Sequence, residues 1–545
     1  MKKRFLSLML CAAMLLGMTG AMAETSEMPT ITLWAGMSSN CPEETLHQGT
    51  IRDLLGINYT VEWTQGDFLT TLNMKINAGE LPDICVFWND TVAANALINS
   101  GLVQPVDEFV ANADKYPNLA SIPQETLDYI RANTPDGKLW YLPGNYAIEV
   151  DDPWPGWTVD AWWVRKDLLA EAGMQLDELN TLEGMEKFAR SMYGKVTADG
   201  LPVQPISYSS ESGYNVILNA FGIDTGAGKS GMPAVSLVDG EKVFLYDHPN
   251  LKNAYAWMNR MYREGLLDME VTTQKNERLT EKMNSGEIGI YPGSAWGPGL
   301  NNAWYAMQTE EDNIAAANLE PVKIPLAEGI TEAGKVSYVN PYNNAMVFIS
   351  KDCQNLDAVL TYLDWCNRQD PITQQEVNEG PEGVYWYWVD EPYGEWDFVP
   401  EYKAMRDSGD QALVDTCTTQ MYYLSNYSRL WYPWWTQQST SQNPFATRLN
   451  ECCQLISSTF QTTRAMHVYD GVPMLAGGKL ERYLPTLQAV ADEYGARLIM
   501  AGSDSDFDAA WTEFQSQLET RGHWSEVKAE WQEQYNAYAD ATGEW

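Results

Sequence analysis

Residues 84–90 read ICVFWND: four apolar residues followed at once by a large aromatic ring, an amide and a carboxylate. Within three positions, Trp88, Asn89 and Asp90 set an apolar plate beside side chains that donate and accept hydrogen bonds. A flat indole covers an apolar C–H face at low entropic cost, because it has few rotatable bonds. Short polar side chains then satisfy the hydroxyls at the ligand's edge, each of which would cost about 1–3 kcal/mol if buried unpaired. The triplet therefore suits a neutral, half-polar ligand such as a saccharide, although capping a following helix is the expected role of at least one of Asn89 and Asp90.

Trp34 and Trp63 occupy similar places, each closing a short run of strand character at 31–34 and 59–63. Three strand ends are thus expected to bring an indole to one edge of one sheet, where ligands of open α/β sheets gather. Further along, Trp157 follows the run PWPG and Trp296 sits between Gly293 and Gly299. Tyr342 and Asn343 precede an apolar run at 345–349, and Trp386 lies in the alternating aromatic stretch 385–388. These residues complete the candidate ligand site. The whole chain has 22 Trp and 29 Tyr against 13 Phe, an excess of rings that carry a polar handle.

Other chemistry finds less support. There is no C-x-x-C pair and there are four histidines, so no zinc site is expected. Asp504, Asp506 and Asp508 alternate like the start of a calcium loop, but the turn glycine is missing and Gln515 stands where the closing glutamate belongs. Helix capping is the expected role there, and no metal or cofactor is expected anywhere. With 74 acidic residues, carboxylate pairs fit for glycosidase chemistry must arise by chance, and no local motif marks one. A binder rather than an enzyme is expected. The rivals are a glycoside hydrolase and a binding protein for another polar solute, such as a peptide.

The 545 residues exceed one ordinary core, so two or more lobes are expected. Lys2, Lys3 and Arg4 precede a mostly apolar Phe5–Gly17 and the small-x-small signal Ala21-Met22-Ala23, the pattern of a secretory signal peptide cleaved after Ala23. A lipid anchor at Cys11 is disfavoured by Leu10, where a small residue is needed. Removing the signal takes the formal net charge from −39 to −39 − 3 = −42, a surface that repels nucleic acid and anionic lipid. No later run reaches the ~20 apolar residues of a membrane span, so a secreted or extracytoplasmic protein is expected, in the periplasm or at the cell surface. The seven remaining cysteines allow one or two disulfides, with Cys85 expected to be a small buried residue.

Periodicity predicts strands at 31–34, 59–63, 84–87, 161–164, 288–291 and 345–349. Helices are expected over 67–78, 166–172, 251–266 and 356–366, followed by a helical tail in which Trp511 and Trp531 fall on core stripes. Strand, helix, strand in the first 90 residues predicts an α/β lobe with a right-handed crossover.

Six segments, in order, carry a recognisable pattern: Ala78–Ile84 (AGELPDI), Gly137–Pro143 (GKLWYLP), Trp162–Gly173 (WWVRKDLLAEAG), Leu182–Phe188, Tyr262–Asp268 (YREGLLD) and Met283–Ile290 with its SGEIG. They resemble family 1 extracellular solute-binding proteins, the binding components of carbohydrate ABC importers. The C-terminal helices look like those of the long oligosaccharide-binding subgroup. The resemblance spans roughly residues 30–540. It implies a two-lobed, type II-like periplasmic-binding-protein fold with a hinge and additional C-terminal helices. It also implies lobe closure on an oligosaccharide and delivery by a monomer to membrane ABC permease subunits. The expected division is a signal peptide at 1–23, a first lobe from 24–148 plus about 320–372, and a second from 149–319 plus about 373–545.

Overall fold

The computed structural model describes residues 28–36, 45–64, 67–144, 146–148, 160–211, 213–226, 234–295, 297, 300, 318–339, 342–369, 376, 380–389, 396–406, 408, 410, 417, 426–427, 448, 451–453, 455–460, 463–465 and 477–542. Among the predicted site residues, Trp157 and Trp296 lie outside the described residues, as do the signal segment and Cys41.

The chain opens with β1 (Thr30–Ala35), α1 (Leu46–Leu55), β2 (Asn58–Trp63), α2 (Phe68–Ala78), β3 (Ile84–Trp88), α3 (Thr91–Asn99) and β4 (Leu142–Gly144). α1 had no counterpart in the periodicity. It is set instead by a capping box, in which Thr45 Oγ1 accepts from the Gln48 N–H and Gln48 Oε1 accepts from the Thr45 N–H. Asp67 caps α2 through the Thr70 N–H, and Gly79 ends it at φ 71°, a conformation that costs glycine little.

A second group comprises β5 (Asp160–Arg165), α4 (Leu182–Met192), β6 (Gln204–Ile206), α5 (Asn215–Asn219), α6 (Leu251–Arg263), α7 (Asn276–Asn284), β7 (Ile288–Ser294) and β8 (Leu319–Val322). The chain then returns to the first group with β9 (Ala345–Ile349) and α8 (Leu356–Cys366). A hairpin follows, β10 (Trp386–Trp388) with β11 (Trp396–Phe398), and the described chain ends in α9 (Lys479–Ile499), α10 (Asp504–Thr520) and α11 (Trp524–Thr542).

The first sheet has the order β2-β1-β3-β9-β4, with β1, β2 and β3 parallel and β9 antiparallel to both β3 and β4. The second has the order β8-β5-β7-β6, in which β5 is the one strand running against its neighbours. Each sheet has its own core. One is built around Leu33, Val86, Phe87 and Phe348, the other around Trp162, Met258, Ile290 and the C-terminal helices. This is the expected α/β architecture. In the tail, Trp531 is fully buried against Phe244 and Trp511 packs beside Tyr255, as their helical spacing predicts. Asp504 and Asp508 pair with Arg263 and Lys252 of α6, while the Ser503 hydroxyl caps α10 at Asp506. The acidic alternation there joins two helices.

Two pairings bear on where the lobes divide. β8, which straddles the boundary expected at about 320, pairs with β5 of the second sheet. The β10–β11 hairpin, placed in the second lobe, makes a separate small core of Trp386, Trp396, Phe398 and Tyr402 that leans on α1 of the first. There the Tyr385 hydroxyl donates to Leu46 O at 3.1 Å and lies 2.8 Å from Thr50 Oγ1. Both contacts are long-range, and no local pattern encodes them.

The recurring motifs turn out to be architectural. Asp83, from the AGELPDI segment, accepts from the Thr32 N–H at 2.8 Å and the Thr32 hydroxyl at 2.9 Å, stapling the start of β3 to β1. In the second lobe, Arg165 forks onto Asp167 and donates to Gly286 O, tying the end of β5 to the start of β7. Asp268, which closes YREGLLD, is buried with Lys282 at 2.6 Å and also accepts from the Ser207 hydroxyl.

Candidate functional site

In a parallel sheet the strands all leave by one edge, and that edge collects the loops. In the first lobe it is formed by Gly36 after β1, Thr64 after β2, Trp88 and Asn89 after β3, and Gly144 at the end of β4. Because β9 runs the other way, the residues that enter it, Tyr342–Asn344, reach the same edge.

Hydrogen bonds stitch these ends together. Gly36 N–H donates to Val86 O at 2.8 Å, Thr64 Oγ1 donates to Gly36 O at 3.0 Å, and Asn344 N–H donates to Gly144 O at 3.0 Å. Asn89 is fixed twice, its N–H on Asn344 O at 2.9 Å and its side-chain amide on Asn343 O at 3.4 Å. Gly36 is needed for close approach: a Cβ there would lie 2.9 Å from the Phe68 ring.

On this edge Trp88 is 43% exposed, and Val92, the second residue of α3, is exposed as well. Asp90 accepts from the Ala93 N–H at 3.0 Å and caps α3, the structural alternative noted for it. Tyr342 stacks on Tyr129 with ring centroids 4.5 Å apart and an interplanar angle of 15°. Asn343 is fully buried at the start of β9.

The three strand-end indoles do not act alike. Ala35 pairs with Trp63 and with Val86, so Trp63 and Trp88 lie on one face of the sheet, two rows apart. Trp34 is one residue out of phase and falls on the opposite face. It is buried there, stacked on Phe68 at 5.8 Å with Lys75 Nζ 5.4 Å from its ring. A one-residue shift in a strand reverses the side chain's face. Trp34 therefore presents no surface to a ligand in this conformation. Trp386 is likewise buried, its indole N–H donating to Gly380 O at 2.7 Å.

The second sheet has a matching edge, where β6 and β7 end and β5 begins, since Ser294 pairs with Asp160. After β6 the chain enters a polar network. Gln274 Nε2 donates to Ser207 Oγ at 2.9 Å and Tyr208 O at 2.6 Å, and Ser210 Oγ donates to Gln274 O at 2.9 Å, while Gln274 Oε1 is buried without a hydrogen-bond partner among the described residues. Asp160 is the first residue of β5. It is 5% exposed, and its Oδ2 has no hydrogen-bond partner among the described residues. Burial pushes its carboxyl up to about 7, with no compensating charge. Sequence reasoning missed Asp160. The available signal was a carboxylate just ahead of the apolar run 161–164, but Asp83 gives the same signal ahead of 84–87.

The comparisons with known proteins agree with this architecture. A family model described as bacterial extracellular solute-binding protein matches residues 55–377, more than half of the chain. Among curated proteins, one described as an uncharacterized protein in the butB 5′ region of Niallia circulans is 23% identical over 159 residues. That stretch is 29% of this chain and 57% of that relative's length, so the chain spans little more than half of it.

Among solved structures, an HMO-binding, ABC-transporter-associated solute-binding protein from Bifidobacterium longum infantis superposes with a TM-score of 0.68 at 15% identity, covering 94% of this chain and 99% of that one. The S. pneumoniae ABC-transporter substrate-binding protein FusA, in complex with kestose, gives 0.66 at 19% identity, covering 94% and 100%. The alginate-binding protein AlgQ2 gives 0.67 at 15% identity, covering 95% and 100%.

Proposed function

Because the chain belongs to the bacterial extracellular solute-binding proteins, we propose that it captures an oligosaccharide between the strand edges of its two sheets and delivers it to an ABC-type sugar importer. The observation that carries the proposal is Trp88, a large ring left exposed at the edge where the first sheet's parallel strands end, beside the polar Asn89. An indole held out at such a point is a stacking surface for a sugar ring. The likeness along nearly the whole chain to an HMO-binding protein, a kestose complex and an alginate-binding protein supports the saccharide class.

In this scheme each lobe contributes one wall. Closure is favoured by contacts available only in the shut form, so ligand shifts an open–closed equilibrium. Trp63, Trp88, Asn89 and Tyr342 belong to the first wall, and the fully buried Asn343 supports it from behind through its carbonyl, which accepts from the Asn89 side chain. Trp157 and Trp296 are assigned to the second on their sequence positions alone. The protein performs no covalent chemistry, works as a monomer, and is exported by a signal peptide cleaved after Ala23.

Titration calorimetry or intrinsic Trp fluorescence against a panel of neutral and acidic oligosaccharides tests the proposal. Saturable one-to-one binding with a fluorescence change is expected. Mass analysis of the same sugars after prolonged incubation at sub-stoichiometric protein should find them intact, and turnover would move the protein to the glycoside hydrolases.

A further inference from the structure

Buried polar groups in native proteins nearly always have partners, and an exception calls for an explanation. Asp160 is such an exception. It is almost completely buried, its Oδ2 has no partner among the described residues, and it lies at the edge where β6 and β7 end. Strand alternation places it on the face of β5 that carries Trp162, whose indole N–H donates to Val216 O of α5 at 3.4 Å. Asp160 is therefore one pleat beyond Trp162, toward the open end of the second sheet.

The titratable groups on the elements packed against this end of β5 are Tyr291 on β7, Tyr208 after β6 and Tyr214 just before α5. β8 adds Glu320, which Arg448 and Lys166 already engage at the other end of the strand, and the exposed Lys323 that follows it. None of these contributes to the carboxyl's elevated pKa, which comes from burial alone.

We infer that Asp160 is the acceptor through which the second lobe holds a hydroxyl donor of a neutral saccharide, and that it turns acidic sugars away. The inference rests on the saccharide reading above and assigns to that site one residue and one preference. A ligand O–H aimed at Oδ2 supplies the missing donor and favours the ionised carboxyl. A uronate would instead set a second carboxylate against it. Binding a neutral sugar then lowers the pKa of Asp160 and releases a proton near neutral pH. Affinity is full above the free-state pKa of about 7 and falls as the pH drops below it.

The test compares the full-length mature wild type with Asp160→Asn and Asp160→Ala. Each is titrated with neutral fructo-oligosaccharides, neutral milk-type oligosaccharides and alginate oligosaccharides at pH 5.5 and pH 8. At pH 8 both variants should bind the wild type's preferred neutral sugar at least tenfold more weakly. Wild-type affinity should fall several-fold between pH 8 and pH 5.5 while that of Asp160→Asn stays flat. Calorimetry in two buffers of different ionisation enthalpy should detect proton release for the wild type only.

Thermal midpoints without ligand separate this role from a structural one. The folded-state pKa lies above the unfolded value, so the charged side chain opposes folding, and increasingly so from about pH 4 to pH 7. Asp160→Asn should therefore melt at or above the wild-type temperature at pH 8 and lose that advantage on acidification. A lower midpoint at pH 8, or unchanged affinity with an unchanged pH profile, overturns the inference and leaves the saccharide reading standing. If the wild type binds none of the sugars, that reading and this inference fall together.

Discussion

Two aspartates, Asp83 and Asp160, each stand at the head of a buried strand, and their surroundings are opposite. Asp83 receives two hydrogen bonds from Thr32 and locks β3 to β1. Asp160 receives none at Oδ2 from the described residues. Strand direction separates them. β3 runs parallel to its neighbour β1, so its start lies at the edge away from the loops. β5 runs against β7 and β8, so its start lies among the strand ends that gather loops. The carboxylate at the closed edge serves the fold, and the one at the open edge is the residue to which the ligand contact is assigned in the inference above. The same contrast holds for the motifs that carry the family likeness, since Asp83, Arg165 and Asp268 all make internal contacts.

The largest expected effect is at the buried pair Lys282–Asp268, whose side chains are 2% and 3% exposed. Lys282→Met leaves a buried carboxylate without its cation and should cost about 3–5 kcal/mol of stability, read as a lowered denaturant midpoint. Next is Asp83→Ala, which strands the Thr32 N–H and hydroxyl and should cost about 2–4 kcal/mol, with sugar affinity per folded molecule unchanged. If Asp83→Ala proves neutral in stability, the distinction between the two edges fails.

Trp88→Ala tests the open edge from the other side. It should weaken sugar binding by about 1–3 kcal/mol while leaving the melting temperature nearly fixed, because the indole is already exposed. Asp90→Ala has the smallest effect, about 0.5–2 kcal/mol of stability through the lost cap of α3, and no direct effect on affinity. A larger loss of affinity than of stability in Asp90→Ala would return that residue to the ligand site.

Much of the fold was legible. The strands at 30–35, 84–88 and 345–349 follow from short apolar runs, and the tail helices from leucine and aromatic stripes at helical spacing. α1 was not, because its signal is a capping box, Thr45 with Gln48, and not an apolar stripe. At the proposed site, the strand-end position of Trp88 and the cap at Asp90 were legible from the apolar run and the polar residues after it. Trp34 and Trp386 were not separable from them, since an indole at a strand end looks the same whether its row faces core or solvent.

Composition, charge and local periodicity depend on neighbours along the chain. The sequence by itself therefore determined an acidic, exported α/β protein whose apolar runs end in aromatic and polar residues. Which end of each strand faces outward depends on pairing between segments far apart, such as β5 with β7, more than 120 residues later. The tertiary structure alone decided that Trp34 turns inward while Trp88 stays out, and that of two like-placed carboxylates one is consumed by the fold and the other is left open. The physical reason is that a side chain's face and a strand's direction are fixed by register and pairing, and a stretch of sequence read alone carries neither.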